Sequence, residues 1–305
     1  MFFDLRFKEA VLIAVQHRAK LVVALSAAAC LAASQAGAAP IASESFWVDA
    51  TAYSNGQTLQ NGENNTNGNS GFSSGNTWST NTGTMRVTNS IPSAGAGLTH
   101  VNLVGSALDG AMDFRVSHDR NATRLVDPAP PTSSTYYLSG LVRANGANAF
   151  AVDGDYFARG FGTGGNIGSG IHLGIRRNDS LGGRRLTAFA GNTFFDLGAA
   201  ADDTTHMIIV SLSANAGGSD SLTAWIDNGT TLTEVVTSQS VETFTGSASL
   251  VRLALQQRVG DANQIVRAWG DEIRFGTEMS DVYVPEPGSL ALLGLGGLLV
   301  ARRRR

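Results

Sequence analysis

Cysteine, lysine and proline are scarce in this 305-residue chain, and the first two shortages exclude most. The single cysteine, Cys30, lies in an apolar N-terminal stretch, so the body that follows has neither a disulfide nor a thiolate metal cluster to hold it together. Its core must suffice. Lys8 and Lys20 are the only lysines, and every cation beyond them is an arginine. Positive charge is short as well: between residues 39 and 284 there are 14 arginines against 22 carboxylates, a net charge near −8. Such a body argues against nucleic acid, whose affinity rests on basic phosphate contacts. Also missing are internal repeats, a long amphipathic helix outside the two ends, and the HExxH motif of zinc hydrolases. The glycine-rich run at residues 160–165 lacks a phosphate-binding lysine and reads as a turn.

What is present begins with the two ends. Arg18 and Lys20 precede an apolar segment at residues 21–33, and Ala36-Gly37-Ala38 offers the small residues that signal peptidase needs. Residues 1–38 therefore read as a signal peptide cleaved after Ala38. Ala27-Ala28-Ala29 before Cys30 lacks the leucine-like residue of a lipoprotein signal, which argues against acylation. At the other end Pro285, Glu286 and Pro287 lead into an uncharged run over residues 288–301, and the chain stops at Arg302, Arg303, Arg304 and Arg305. A helix over that run would rise about 21 Å, against roughly 30 Å of bilayer hydrocarbon. It is a short transmembrane anchor, and the two prolines prevent its extension upstream. The arginines would stay on the cytoplasmic side, leaving the body outside.

This tripartite tail resembles the PEP-CTERM sorting signal of bacteria that secrete exopolysaccharide. The resemblance implies that residues 285–305 are recognised and processed by an exosortase. It also implies a destination in the cell envelope or extracellular matrix, with the C-terminus holding the chain in the membrane transiently or permanently. An ordinary tail anchor without processing is the alternative.

Residues 39–284 read as one all-β domain. Short apolar or alternating runs at residues 135–142, 170–175, 185–190, 206–212, 221–226, 250–255 and 269–275 are separated by Gly, Asn, Ser and Asp clusters. Leu222, Ala224 and Ile226 share one face of their strand, and Thr223, Trp225 and Asp227 share the other. Residues 215–220 form a polar turn between two of these runs. Residues 55–83, with eight asparagines and six glycines, suit a long loop or a pair of turns.

Glu44-Ser45-Phe46, Asn76-Thr77-Trp78 and the runs at residues 136–142, 205–210 and 222–226 come in an order that resembles secreted proteins with a concanavalin A-like, laminin-G-like jelly roll. The resemblance implies a jelly-roll sandwich closed by residues 270–276 and 280–282. It further implies a carbohydrate-binding or surface-adhesion module of a group usually without an assigned activity.

Glycoside hydrolases share that fold, so carboxylates need weighing. Retaining hydrolysis requires two carboxyl groups about 5–5.5 Å apart. The Glu-x-Asp-x-Glu strand of the hydrolase branch is absent. Asp271 and Glu272 are adjacent and should point to opposite faces. Asp153 and Asp155 flank Gly154 and suit a solvated turn. His100, His118, His172 and His206 are too widely spaced for a zinc motif. For sugar binding, Trp225 is the strongest ring candidate, ahead of Trp47, Trp78 and Trp269, with Asp153 and Asp155 as polar partners. No cofactor is implied, although calcium would draw on Asp153, Asp155, Asp202 and Asp203 without an EF-hand pattern. The sequence thus describes an exported, non-catalytic protein handled by signal peptidase and exosortase and associated with extracellular polysaccharide. A glycan-cleaving enzyme of the same fold and a purely structural surface protein are the alternatives.

Overall fold

Period-two alternation dominates the body, and in the computed structural model it produces two packed antiparallel sheets. The structure describes residues 40–44, 46, 72, 78–80, 85–88, 98, 100, 111–116, 120–126, 133–144, 150, 152–162, 168, 170–213, 215, 218–241, 252–258 and 266–283. The sites assigned to the two ends, Ala36, Ala38, Pro285–Pro287 and Arg302–Arg305, lie outside these residues, as do Trp47 and His118. Ala38–Tyr283 forms one compact unit.

The described strands are β1 (Ala42–Glu44), β2 (Ser79–Thr80), β3 (Met85–Thr88), β4 (Ala111–Val116), β5 (Arg120–Leu125), β6 (Thr135–Ala144), β7 (Tyr156–Gly162), β8 (Gly170–Asn178), β9 (Gly183–Ala190), β10 (Thr193–Ala199), β11 (Thr205–Ser213), β12 (Ser221–Asp227), β13 (Leu232–Ser240), β14 (Arg252–Arg258) and β15 (Val266–Gly276). One sheet runs β13-β12-β11-β6-β15-β4-β3, with β1 also paired to β15, and the other runs β10-β9-β8-β7-β14-β5-β2. This is an all-β jelly-roll sandwich. All seven runs picked out from the sequence are strands over their described residues, and Asp220 Oδ1 accepts from the Asn215 N–H at 3.1 Å across the 215–220 turn.

The core lies between the sheets. Leu138, Val142, Ile208, Val210, Leu222 and Ala224 from one sheet meet Phe157, Phe161, Ile171, Leu173, Leu253 and Leu255 from the other. An aromatic stack crosses the gap: Phe275 lies 4.4 Å from Phe161 and 5.6 Å from Tyr136 between ring centroids. A second cluster covers the outer face of the eight-stranded sheet, where Leu98, Val282 and Tyr283 pack over Leu141, Met207, Ile209 and Trp269.

Three expectations are corrected. Gly160, Phe161 and Gly162 are the end of β7, not a turn, because Phe161 is buried in the core and the glycines permit close strand approach. A Cβ at Gly160 would strike the Ile171 carbonyl of β8. Residues 280–282 are not strand: Met279–Val282 is a single helical turn, α1, capped reciprocally by Glu278 and Asp281. Ser79–Thr80, inside the Asn/Gly-rich stretch, is a short strand paired with β5.

Candidate functional site

The outer face of the seven-stranded sheet gathers the polar and aromatic side chains that the core rejects. Because β7, β8, β9 and β14 send Phe157, Phe161, Ile171, Leu173, Leu186, Ala188, Leu253 and Leu255 inward, the intervening residues face out. One row across the strands reads Arg185, Arg176, Tyr156, Arg258. Two residues along it reads Asp196, Thr187, Gly174, Ala158, Gln256. The next reads Phe194, Phe189, His172, Gly160, Ala254. The middle is therefore made of small residues, with long side chains around it.

At the β10 edge these side chains interlock. The Phe194 ring is 40% exposed, lies edge-on to Phe189 at 5.3 Å, and has the Arg176 guanidinium 4.3 Å from its centroid. Arg176 reaches it past Gly174, which offers no side chain in between. Arg185 donates from Nε and Nη2 to the two carboxylate oxygens of Asp196 at 2.7 and 2.8 Å, a fork-to-fork pair. That bonding holds the Asp196 carboxyl below its ordinary pKa and raises that of Arg185. Sequence reading missed this cluster. The Gly191-Asn192 link between two alternating runs was the available hairpin signal, and it places Phe194 opposite Phe189.

His172 stands in the same face, fully buried, with neither ring nitrogen in a hydrogen bond among the described residues. Burial lowers its pKa to about 3, opposed by the Gly170 backbone, so it is neutral at physiological pH.

The predicted candidates fall elsewhere. Trp225 is on the outer face of the other sheet, as alternation required, and is partly buried against the cluster around Trp269. Trp78 is buried beside Phe46 at 6.4 Å, and Trp269 is buried beneath the second cluster. Asp155 is consumed by its own turn, its Oδ2 accepting from the Val152 N–H at 3.0 Å, while exposed Asp153 accepts from the Asp179 N–H at 3.0 Å. Asp202 pairs with Arg184, and Asp203 lies 3.7 Å from Arg143. Among the described residues no three His, Cys, Asp or Glu side chains converge as a metal site.

Asp271 and Glu272 do not follow simple alternation. The β15–β6 register shifts between Asp271 and Arg274, and Glu272 takes a left-handed φ of 50°. Both carboxyls are buried, Asp271 Oδ2 accepting from the Leu98 N–H at 3.0 Å, and Arg159, pointing inward from β7, acts on both through its charge. Its guanidinium donates to the Leu141 carbonyl and fits against Gly140 and Gly270, where an added Cβ would lie 2.7 and 2.6 Å from its nitrogens. Burial lowers Arg159 to about 9 and raises Glu272 to about 7, with Arg274 and Arg159 opposing the Glu272 shift. Burial, then the neighbouring Glu272, raises Asp271 well above its ordinary value.

A raised carboxyl pKa favours folding where the proton is bound. The Glu272 contribution is fully present below about pH 4.5 and is lost as pH rises through about 7. Glu272→Gln should therefore reduce the stability lost between pH 5 and pH 8 by about 1–3 kcal/mol, read from urea midpoints. Parallel pH profiles for the two proteins would refute the assignment.

Comparison with known proteins adds the address. Residues 284–305 match the PEP-CTERM protein-sorting motif, the signal of an exported protein processed by an exosortase. No curated protein matches the chain. Solved structures with a similar chain path include an endo-β-1,4-glucuronan lyase from the fungus Trichoderma reesei, at 12% identity and a TM-score of 0.41, covering 60% of this chain and 87% of that one. They also include the catalytic domain of a glycoside hydrolase family 131 protein from Coprinopsis cinerea, at 11% identity and 0.43, covering 62% and 86%. A third is the carbohydrate recognition domain of Emp46p, at 13% identity and 0.38, covering 56% and 84%. Likenesses of this size transfer neither an activity nor a residue to this chain. Among the described residues no helix is long and apolar enough to cross a membrane.

Proposed function

We propose that this exported protein binds polysaccharide without cleaving it, at the cell envelope or in the extracellular matrix, through the long side chains at the margins of the outer face of its seven-stranded sheet, whose middle is buried. The observation that supports this reading is the exposed Phe194 ring, braced by Arg176 and Phe189 beside the Arg185–Asp196 pair. A flat apolar ring beside fixed hydrogen-bonding groups suits a sugar, whose ring faces are apolar and whose hydroxyls are polar. Glycoside hydrolysis needs two carboxyls, one of them protonated. Asp196 is the carboxylate among the described strand residues of this face, and Arg185 holds it ionised. That inventory favours binding over hydrolysis.

The test is cosedimentation of the purified protein with extracellular polysaccharide isolated from the producing cells. Phe194→Ala should weaken binding about tenfold, equivalent to 1.4 kcal/mol, with the thermal midpoint unchanged. Binding that survives Phe194→Ala but is abolished by Trp225→Ala would move the site to the other sheet.

A further inference from the structure

We infer that the polysaccharide taken by this face is anionic, a carboxylate-bearing chain read by Arg176 and Arg258 with Arg185 beside them; the inference rests on the polysaccharide-binding reading above and specifies its ligand. The argument begins with where the arginines spend their charge. Six of the ten arginines whose side chains are described lie within 4 Å of a carboxylate: Arg124 with Glu44, Arg143 with Asp203, Arg177 with Asp179, Arg184 with Asp202, Arg185 with Asp196 and Arg274 with Glu272. A seventh, Arg159, lies in the field of Asp271 and Glu272. The three that remain are Arg176, Arg252 and Arg258, and all three project from the outer face of the seven-stranded sheet.

In a body with a net charge near −8, that distribution is a local reversal of sign. The described strand residues of this face hold four arginines and one carboxylate, and that carboxylate is already bound to Arg185. Arg176 and Arg258 flank Tyr156 on adjacent strands, so their backbones are about 10 Å apart at the usual strand spacing. Arg252 stands six residues along β14 from Arg258, about 20 Å away. Cations at such intervals match a polymer that carries repeated negative charges, not one buried ion.

A second observation points the same way. The Arg176 Nε is buried with no hydrogen-bond partner among the described residues. A buried guanidinium nitrogen without an acceptor is costly, and a carboxylate oxygen arriving at Arg176 would supply one. Phe194 already holds that guanidinium in place by a cation–π contact, so the group is oriented before a ligand arrives.

Affinity electrophoresis of the purified protein provides the test, with polygalacturonate as the anionic probe and dextran as the neutral one. Polygalacturonate should retard the protein, and retardation should fall as NaCl is raised, since exposed charges are screened within about 8 Å at 0.15 M. The double variant Arg176→Gln/Arg258→Gln should bind about tenfold more weakly or worse, consistent with loss of two charge-assisted contacts. Its thermal midpoint should stay close to that of the parent. Equal retardation by both polymers, unaffected by the arginine changes, would overturn the anionic inference and leave polysaccharide binding standing. Retardation by neither would overturn both. Shortening of the polygalacturonate itself would support the anionic inference while overturning the non-catalytic reading.

Discussion

Protein recovered from cells containing the exosortase is expected to end near Pro287, having lost residues 288–305, whereas protein from cells lacking the enzyme should keep its four terminal arginines. The expectation follows from two concordant observations. Residues 284–305 match the sorting motif, and the uncharged run within them is too short, at about 21 Å if helical, to span roughly 30 Å of hydrocarbon comfortably. Such a segment suits temporary residence better than permanent anchorage. Intact-mass spectrometry of both preparations distinguishes the cases. A full-length C-terminus in both would make the tail a simple anchor and remove the matrix from consideration as the site of action.

Arg159→Ala is expected to cost roughly 3–5 kcal/mol of unfolding free energy at pH 8, because removing one member of a buried charged group leaves the others uncompensated. Asp271 and Glu272 would then stay buried without the guanidinium that opposes their desolvation. The cost should shrink at pH 5. There Glu272, raised to about 7, is protonated in the folded protein, so the missing cation matters less and the cavity weighs more. Urea titrations at the two pH values measure the difference. Equal losses at both would mean that Arg159 stabilises by packing against Phe157, Gly140 and Gly270 and not by charge.

The sequence made the frame of this protein readable and hid the arrangement of its charges. β6, β8, β9, β11, β12, β14 and β15 were visible because inward residues repeat every second position between polar turns. The face of Trp225 was assigned correctly for the same reason. β7 was obscured because glycines bracket Phe161, and glycine signals a turn unless the neighbouring strand is known to approach closely. Arg159 shares the period-two face of Phe157 and Phe161, yet a cation on an alternating strand is ordinarily taken as the solvent side. Only the packing of β7 across the sandwich from Gly140 and Gly270 reveals room for it. Phe194 was missed because its strand contains just two large apolar side chains before Asp196 and has little hydrophobic signal of its own. The motif at the C-terminus needed no such context, since its information lies in order and composition.

The last described residue bears on export as well. Tyr283 is packed beside Val282 on the outer face of the eight-stranded sheet, and Ser139 Oγ donates to the Val282 carbonyl at 2.8 Å. Four residues carry the chain from Tyr283 to Pro287, a leash of at most about 14 Å when fully extended. An enzyme that reads Pro285–Pro287 therefore works within four residues, along the chain, of a packed position of the sandwich.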